Sequence, residues 1–183
     1  MFTQGISFKN FSSKKKKLLV RKKLNLLLKK KNQVIYSLSK SYKDSFIKKN
    51  VKHFNNKLDY RIIGMGGSTL GAQAIYDFLK KKIKKNFIFV DNLNAFKNKK
   101  AKKNLNNLII SKSGNTIETI VNANILIKKK DKNLFITDKK ESYLSLLANK
   151  LKAEVVDHNN YIGGRYSVLS EVGMLPAELM GLN

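Results

Sequence analysis

Cysteine and tryptophan are absent from the 183 residues, and proline occurs once, at Pro176. Without cysteine there is no disulfide framework, no thiolate zinc site and no thiol nucleophile, and the composition suits a reducing cytoplasm. No apolar run approaches the ~18–20 residues that a membrane-spanning helix needs, so an integral membrane protein is excluded and no membrane partner is expected. A signal peptide is not expected either, because Arg21–Lys23 interrupts any apolar core and no small-residue cleavage site follows. Acidic residues are scarce, 12 against 38 Lys and Arg, for a formal net charge of +26. Arginine is scarce within that excess: three, against 35 lysines, beside 21 asparagines. Readers of nucleic acid favour the planar guanidinium. Lysine spread over nearly every segment fits codon drift in an AT-rich genome better, and predicts no specific nucleic-acid partner. The charge still favours the approach of small anionic substrates. Hydrophobic residues make up 42% of the chain, enough for a core and too many for wholesale disorder.

The chain divides by pattern into a basic helical N-terminal arm, 1–57, and an α/β region behind it. In the arm, Lys14–Lys17, Arg21–Lys23 and Lys29–Lys31 alternate with Leu18, Leu19, Leu24 and Leu26–Leu28, which predicts one or two amphipathic helices. A helical arm packed on the following domain is the simpler reading; a basic helix on a membrane surface is its rival. From 58 to 157, short apolar runs alternate with longer periodic ones. Tyr60–Met65, Phe87–Val90, Leu108–Ser111, Leu134–Thr137 and Ala153–Val156 read as buried parallel strands. Thr69–Lys82, Asn115–Lys128 and Glu141–Leu151 read as helices between them, and 93–104 as a short helix or a loop. Such alternation predicts a doubly wound parallel sheet flanked by helices.

Ligands bind such sheets beyond the carboxyl ends of the strands, and three of those ends carry unusual residues. The first is Gly64-Met65-Gly66-Gly67-Ser68-Thr69-Leu70-Gly71. Its glycines let backbone amides approach an anion at a helix start. Thr69 breaks the dinucleotide-binding pattern and Ala72 breaks the P-loop, so neither cofactor fingerprint is present. A packing turn without a ligand remains open for this loop. The second is Ser111-Lys112-Ser113-Gly114-Asn115-Thr116-Ile117-Glu118-Thr119. Hydroxyls and free amides at a helix start suit a phosphate monoester; a capping box ending on Glu118 accounts for only one or two of these residues. The third runs from Asn159 to Ser170 and contains Gly163-Gly164-Arg165. In a chain that uses Lys almost everywhere, Arg165 reads as an oxyanion or enediolate ligand, with a structural brace as the alternative.

In this order the three loops closely resemble the glucose-6-phosphate isomerase family. GMGGSTLG is similar to its first glycine loop, SKSGNTIET to its phosphate loop, and IGGRYSVLSEVGMLP to its Gly-Gly-Arg signature. The middle loop is also the general mark of sugar-isomerase (SIS) domains. The resemblance implies an SIS-type five-stranded sheet and no metal or cofactor. It implies a phosphosugar held through its phosphate by Ser68, Ser111, Ser113, Thr116 and Thr119, with Lys112 contributing backbone contacts. Gly66, Gly67, Gly163 and Gly164 form a backbone cradle, and Arg165 steadies the cis-enediol intermediate of the aldose–ketose shift. It further implies a cytoplasmic homodimer and an N-terminal portion of a longer enzyme: 58–157 is the first SIS domain, and 158–183 leads toward a second one that is missing.

Two features depart from the family. Gly114-Asn115 is closer to general SIS domains, and Glu171 stands where a small residue is usual. The family's catalytic Glu, ring-opening His and C-terminal Lys have no counterpart here; His53 and His158 match none of them. Glu118 is expected to cap its helix, and Asp138 and Asp157 to sit in ordinary strand-end turns, which leaves no general base. Two other readings remain: a non-catalytic SIS module that binds a phosphosugar, and a Lys-rich polyanion-binding protein.

Overall fold

A computed structural model describes residues 18–30, 32–54, 59–93 and 105–182. The chain forms two compact units, divided between Ser41 and Tyr42. In the first, α1 (Leu18–Leu28) forms where leucine and lysine alternate, α2 (Gln33–Ser37) follows it, and the Asn32 side chain caps α2 by accepting the Ile35 amide at 2.8 Å. The leucines of α1 are exposed.

The second unit begins earlier than the residue-57 boundary suggested by pattern. The stretch α3 (Lys48–Val51) and the 3-10 turn Lys52–Phe54 supply Val51 and Phe54 to its core, and Tyr60 donates its hydroxyl to the Phe54 carbonyl. Lysine density dominates the composition there, but two buried apolar side chains decide which unit the segment joins.

The elements that follow are β1 (Tyr60–Gly64), α4 (Gly67–Leu79), β2 (Phe87–Val90), β3 (Asn106–Ile110), α5 (Ile117–Leu126), β4 (Lys132–Thr137), α6 (Tyr143–Leu151), β5 (Glu154–Asp157) and α7 (Glu171–Met180). All five expected strands form. β3 and β4 each begin two residues sooner than the apolar runs predict, because Asn107 and Asn133 pair in register and Asn107 Nδ2 donates to Asn133 Oδ1 at 2.8 Å. Two polar side chains that satisfy each other extend the ladder where hydropathy would end it. Most of the 93–104 segment, residues 94–104, lies outside the described residues.

The sheet is parallel throughout, in the order β2-β1-β3-β4-β5. Alternate side chains feed two cores. Ile62, Leu108, Ile110, Leu134 and Ile136 pack with Tyr76 of α4 and Val172, Leu175 and Leu179 of α7. Ile63, Ile109 and Phe135 pack with Ala123 of α5 and with Leu144 and Ala148 of α6. Both faces are covered, so the strands read as continuous apolar runs. Strand order reverses between β1 and β3, and a crevice opens beyond their carboxyl ends. The first two glycine-bearing loops leave the sheet from those two ends.

Candidate functional site

The first loop turns at Gly66, whose φ of 57° and ψ of −122° disfavour any side chain. The Gly66 carbonyl accepts the amides of Thr69 at 3.0 Å and Leu70 at 2.9 Å, which starts α4. Gly67 is needed for another reason: a Cβ there would stand 2.1 Å from the Gly164 carbonyl oxygen and 2.8 Å from the Arg165 Cα. The 3-10 turn Gly164–Leu169 is thus pressed directly onto the start of α4. Gly71 and Gly173 receive Val168 of the same turn, where a Cβ would lie 2.6 Å and 2.0 Å from its atoms. The packing role left open for the first loop is real for Gly67 and Gly71, and the contact it makes is with the third loop.

The second loop turns at Gly114, with φ of 65° and Ser142 Oγ only 2.0 Å from where a Cβ would stand. Thr116 is the N-cap of α5, but its side chain does not cap; its hydroxyl pairs with Ser111 Oγ at 2.9 Å. The capping-box alternative does not form: the box that Glu118 could close begins at Asn115, one residue before the N-cap. The first-turn amides of α5 are left uncapped by any side chain. Asn115 Oδ1 instead accepts the Tyr143 amide at 2.9 Å, and Ser113 Oγ accepts the Asn115 amide at 3.2 Å. Lys112 reaches across to the third loop, donating from Nζ to the carbonyls of Asn160 at 2.6 Å and Ile162 at 2.8 Å. Its own carbonyl accepts the Asp138 amide at 3.0 Å.

Between these loops lies a cleft of about 530 Å³. Of the residues expected at the site, Ser68, Lys112, Ser113, Thr116 and Gly164 line it. Ser111 lies beneath, buried and bonded to Thr116. Thr119 does not line the cleft: its side chain is fully buried where α5 packs on β1 and β3. Gly66, Gly67 and Gly163 are not among the lining residues, so of the four cradle glycines only Gly164 faces the cleft. Arg165, the next residue along the turn, is exposed and makes no hydrogen bond or ion pair among the described residues. Asn115, Asp138, Lys140 and Glu141 also line the cleft. The last three follow β4, the strand beside β3; the rule about carboxyl ends of strands points to them, but no glycine punctuates that loop to draw attention.

The family model described as phosphoglucose isomerase matches residues 28–182. The chain belongs to this family. Among curated relatives, the glucose-6-phosphate isomerase of Acholeplasma laidlawii is 39% identical over 142 residues, 67% of this chain and 33% of the relative. That of Methanocaldococcus jannaschii is 36% identical, covering 72% of this chain and 35% of the relative. That of Borrelia garinii subsp. bavariensis is 33% identical, covering 76% and 29%. The chain thus spans about a third of the length of the curated relatives it matches. A hypothetical protein of Thermus thermophilus superposes with a TM-score of 0.64 at 25% identity, over 73% of this chain and 36% of that one. The tagatose-6-phosphate ketose/aldose isomerase of Escherichia coli shares the fold, with a TM-score of 0.50 at 18% identity, over 70% and 41%. The sheet is the SIS-type sandwich of phosphosugar isomerases.

Behind the third loop this chain of the phosphoglucose isomerase family buries a polar cluster that the sequence does not announce. Glu171 opens α7 with no solvent exposure, and its Oε1 lies 3.7 Å from His158 Nδ1. His158 is also buried, with Nδ1 3.1 Å from the Asn159 carbonyl. Burial lowers the His158 pKa below the ordinary imidazole value, outweighing the Asn159 carbonyl and Glu171, which act the other way. Asp44 is raised, first by burial and then by Glu171. Tyr42 is raised by the same two causes. A histidine depressed in the folded state contributes stability that is present above its unfolded pKa, about 6.5, and lost as pH falls toward the folded value. Between pH 7 and pH 5, wild type should lose stability relative to His158→Gln, by at most about 1.4 kcal/mol per pH unit. Urea midpoints of the two proteins at each pH test this; parallel curves would show that His158 titrates normally.

Proposed function

We propose that the cleft holds the phosphate of glucose 6-phosphate or fructose 6-phosphate, and that the chain is part of an enzyme interconverting the two through a cis-enediol. The observation that carries this reading is the convergence of the Ser68, Ser113 and Thr116 hydroxyls with an uncapped helix start, at the strand-order reversal of a phosphoglucose isomerase sheet. The hydroxyls and the α5 amides bind the dianion, and Ser111 orients Thr116 from below. In the aldose-to-ketose direction a base removes the C2 proton, negative charge gathers on the enediolate oxygens, and a proton returns to C1. Arg165 steadies that charge. That it has no hydrogen-bond or ion-pair partner among the described residues supports the role, because a structural arginine of this chain looks different: the half-buried Arg61 donates to the Leu126 carbonyl at 2.9 Å. The complete enzyme in this reading is a cytoplasmic homodimer without a metal or cofactor.

The carboxylates that line the cleft, Asp138 and Glu141, stand at its phosphate end, with the Asp138 amide bonded to the phosphate loop itself. The phosphate sits on C6 and the proton moves between C2 and C1, so neither carboxylate is placed as the base. Titration calorimetry should show the 183-residue chain binding glucose 6-phosphate and not glucose, while a coupled-dehydrogenase assay shows no turnover. Equal affinity for the unphosphorylated sugar would refute the phosphate grip, and turnover that Arg165→Ala eliminates would reveal a base within these residues. In the complete enzyme, Arg165→Lys should lower kcat by the ~2–4 kcal/mol typical of a lost preorganised ligand and leave KM nearly unchanged.

A further inference from the structure

The buried cluster behind the third loop is not used by the chemistry proposed above. An isolated carboxylate is costly to bury, so the bonds made by Glu171 indicate what it does. Oε1 accepts the Asn159 amide at 2.8 Å. Oε2 accepts the Tyr42 hydroxyl at 3.3 Å, and Asn159 Nδ2 donates to that hydroxyl at 3.0 Å, closing a ring of three residues. As the first residue of α7, Glu171 also lies at the positive end of the helix dipole. The chain then turns, with the Ile162 amide donating to the Asn159 carbonyl at 3.1 Å. The carbonyls within and at the end of this turn, those of Asn160 and Ile162, are the two that Lys112 grips. An unbroken path of hydrogen bonds and backbone therefore runs from α7 through Glu171, Asn159 and the 159–162 turn to Lys112 in the phosphate loop.

We propose that Glu171 is a positioning residue for the phosphate loop: by fixing the Asn159 amide it holds the turn whose carbonyls grip Lys112, and so sets residues 111–116 against the Gly164 side of the cleft. That the cleft binds a phosphosugar rests on the preceding reading; the link from Glu171 to Lys112 does not.

The two parts are tested separately on the 183-residue chain. Glu171→Gln keeps an acceptor oxygen at full reach and removes the charge. Glu171→Asp keeps the charge and withdraws it by about 1.5 Å, one C–C bond. A merely electrostatic or structural carboxylate is preserved by Asp and lost in Gln; positioning of the Asn159 amide predicts the reverse. The first readout needs no ligand: the 15N signal of the Lys112 ammonium, expected to be slowly exchanging and resolved in wild type and Glu171→Gln, and lost in Glu171→Asp. The second is affinity for glucose 6-phosphate, expected within about threefold of wild type for Gln and roughly tenfold weaker for Asp, with Glu171→Asp adding less than about twofold on a Lys112→Met background. A Lys112 signal unchanged in Glu171→Asp overturns the proposal, as do independent, multiplying effects in the double variant. If wild type binds no phosphosugar, the functional reading fails while the ammonium signal still decides the positioning role.

Discussion

Thr116→Glu should abolish binding of glucose 6-phosphate by this chain. Thr116 is the N-cap of α5, half-buried, and its hydroxyl is held by Ser111 at the wall of the cleft. A glutamate there places a carboxylate where the phosphate dianion is to sit. Two like charges about 4 Å apart repel by about 4 kcal/mol per charge pair at an effective dielectric near 20, roughly a thousandfold in affinity. Thr116→Val, which removes one hydroxyl and adds no charge, should weaken binding by only about 1 kcal/mol, roughly fivefold. A carboxylate near a helix N-terminus is favourable to the helix, so the fold should survive and the melting temperature change little. Calorimetry on the two variants gives the answer, and undiminished affinity in Thr116→Glu would remove this helix start from the site.

Gly67→Ala should be the most damaging single-methyl change in the first loop. The three atoms nearest the added Cβ are all backbone of one segment: the Gly164 oxygen at 2.1 Å, the Gly164 carbon at 2.6 Å and the Arg165 Cα at 2.8 Å. Backbone does not rotate away as a flexible side chain does, so the α4 start and the Gly164–Leu169 turn must separate. Overpacking of this kind typically costs about 1–3 kcal/mol, and here it also displaces Ser68, the next residue, from the cleft. Gly66→Ala is the informative comparison. It has open space around its Cβ and suffers only from its positive φ, a strain of order 1–3 kcal/mol that leaves the loop-to-loop contact intact. Denaturant midpoints together with phosphosugar affinity separate the two: Gly67→Ala should lose both stability and binding, Gly66→Ala mainly stability. Wild-type stability in Gly67→Ala would mean that the two loops are not held in this apposition.

Much of this architecture is legible in the residues taken in order. A buried parallel strand must be apolar on both faces, so runs such as Leu108–Ile110 and Leu134–Ile136 announce themselves without any partner in view. A helix start that receives an anion must be rich in small, hydroxylated residues, and 111–116 is. Sequence order says least where a residue's partner lies far along the chain. Thr119 looks like one more hydroxyl of the loop until α5 is laid on the sheet and its side chain is sealed. Glu118 fits a capping box with Asn115 by spacing, but the helix caps one residue later, at Thr116, and Asn115 accepts the Tyr143 amide instead. Asp138 looks like an ordinary turn residue, yet its strand ends beside β3 and brings it to the cleft. Val51 and Phe54 sit among lysines and belong to the core of the second unit.

Local chemistry was enough to determine the strands, the helices between them and the reversal-point loops, because periodicity, glycine placement and helix-start composition act over a few residues and leave their mark in order along the chain; the family came from the resemblance of the three loop motifs. Only the tertiary structure decided which hydroxyls face the cleft, that Gly67 exists to let Gly164 approach, and that Glu171 reaches Tyr42 across 129 residues and Asn159 across 12. Those are contacts between distant segments, and their energy depends on distances that no local pattern encodes until the sheet has brought the segments together.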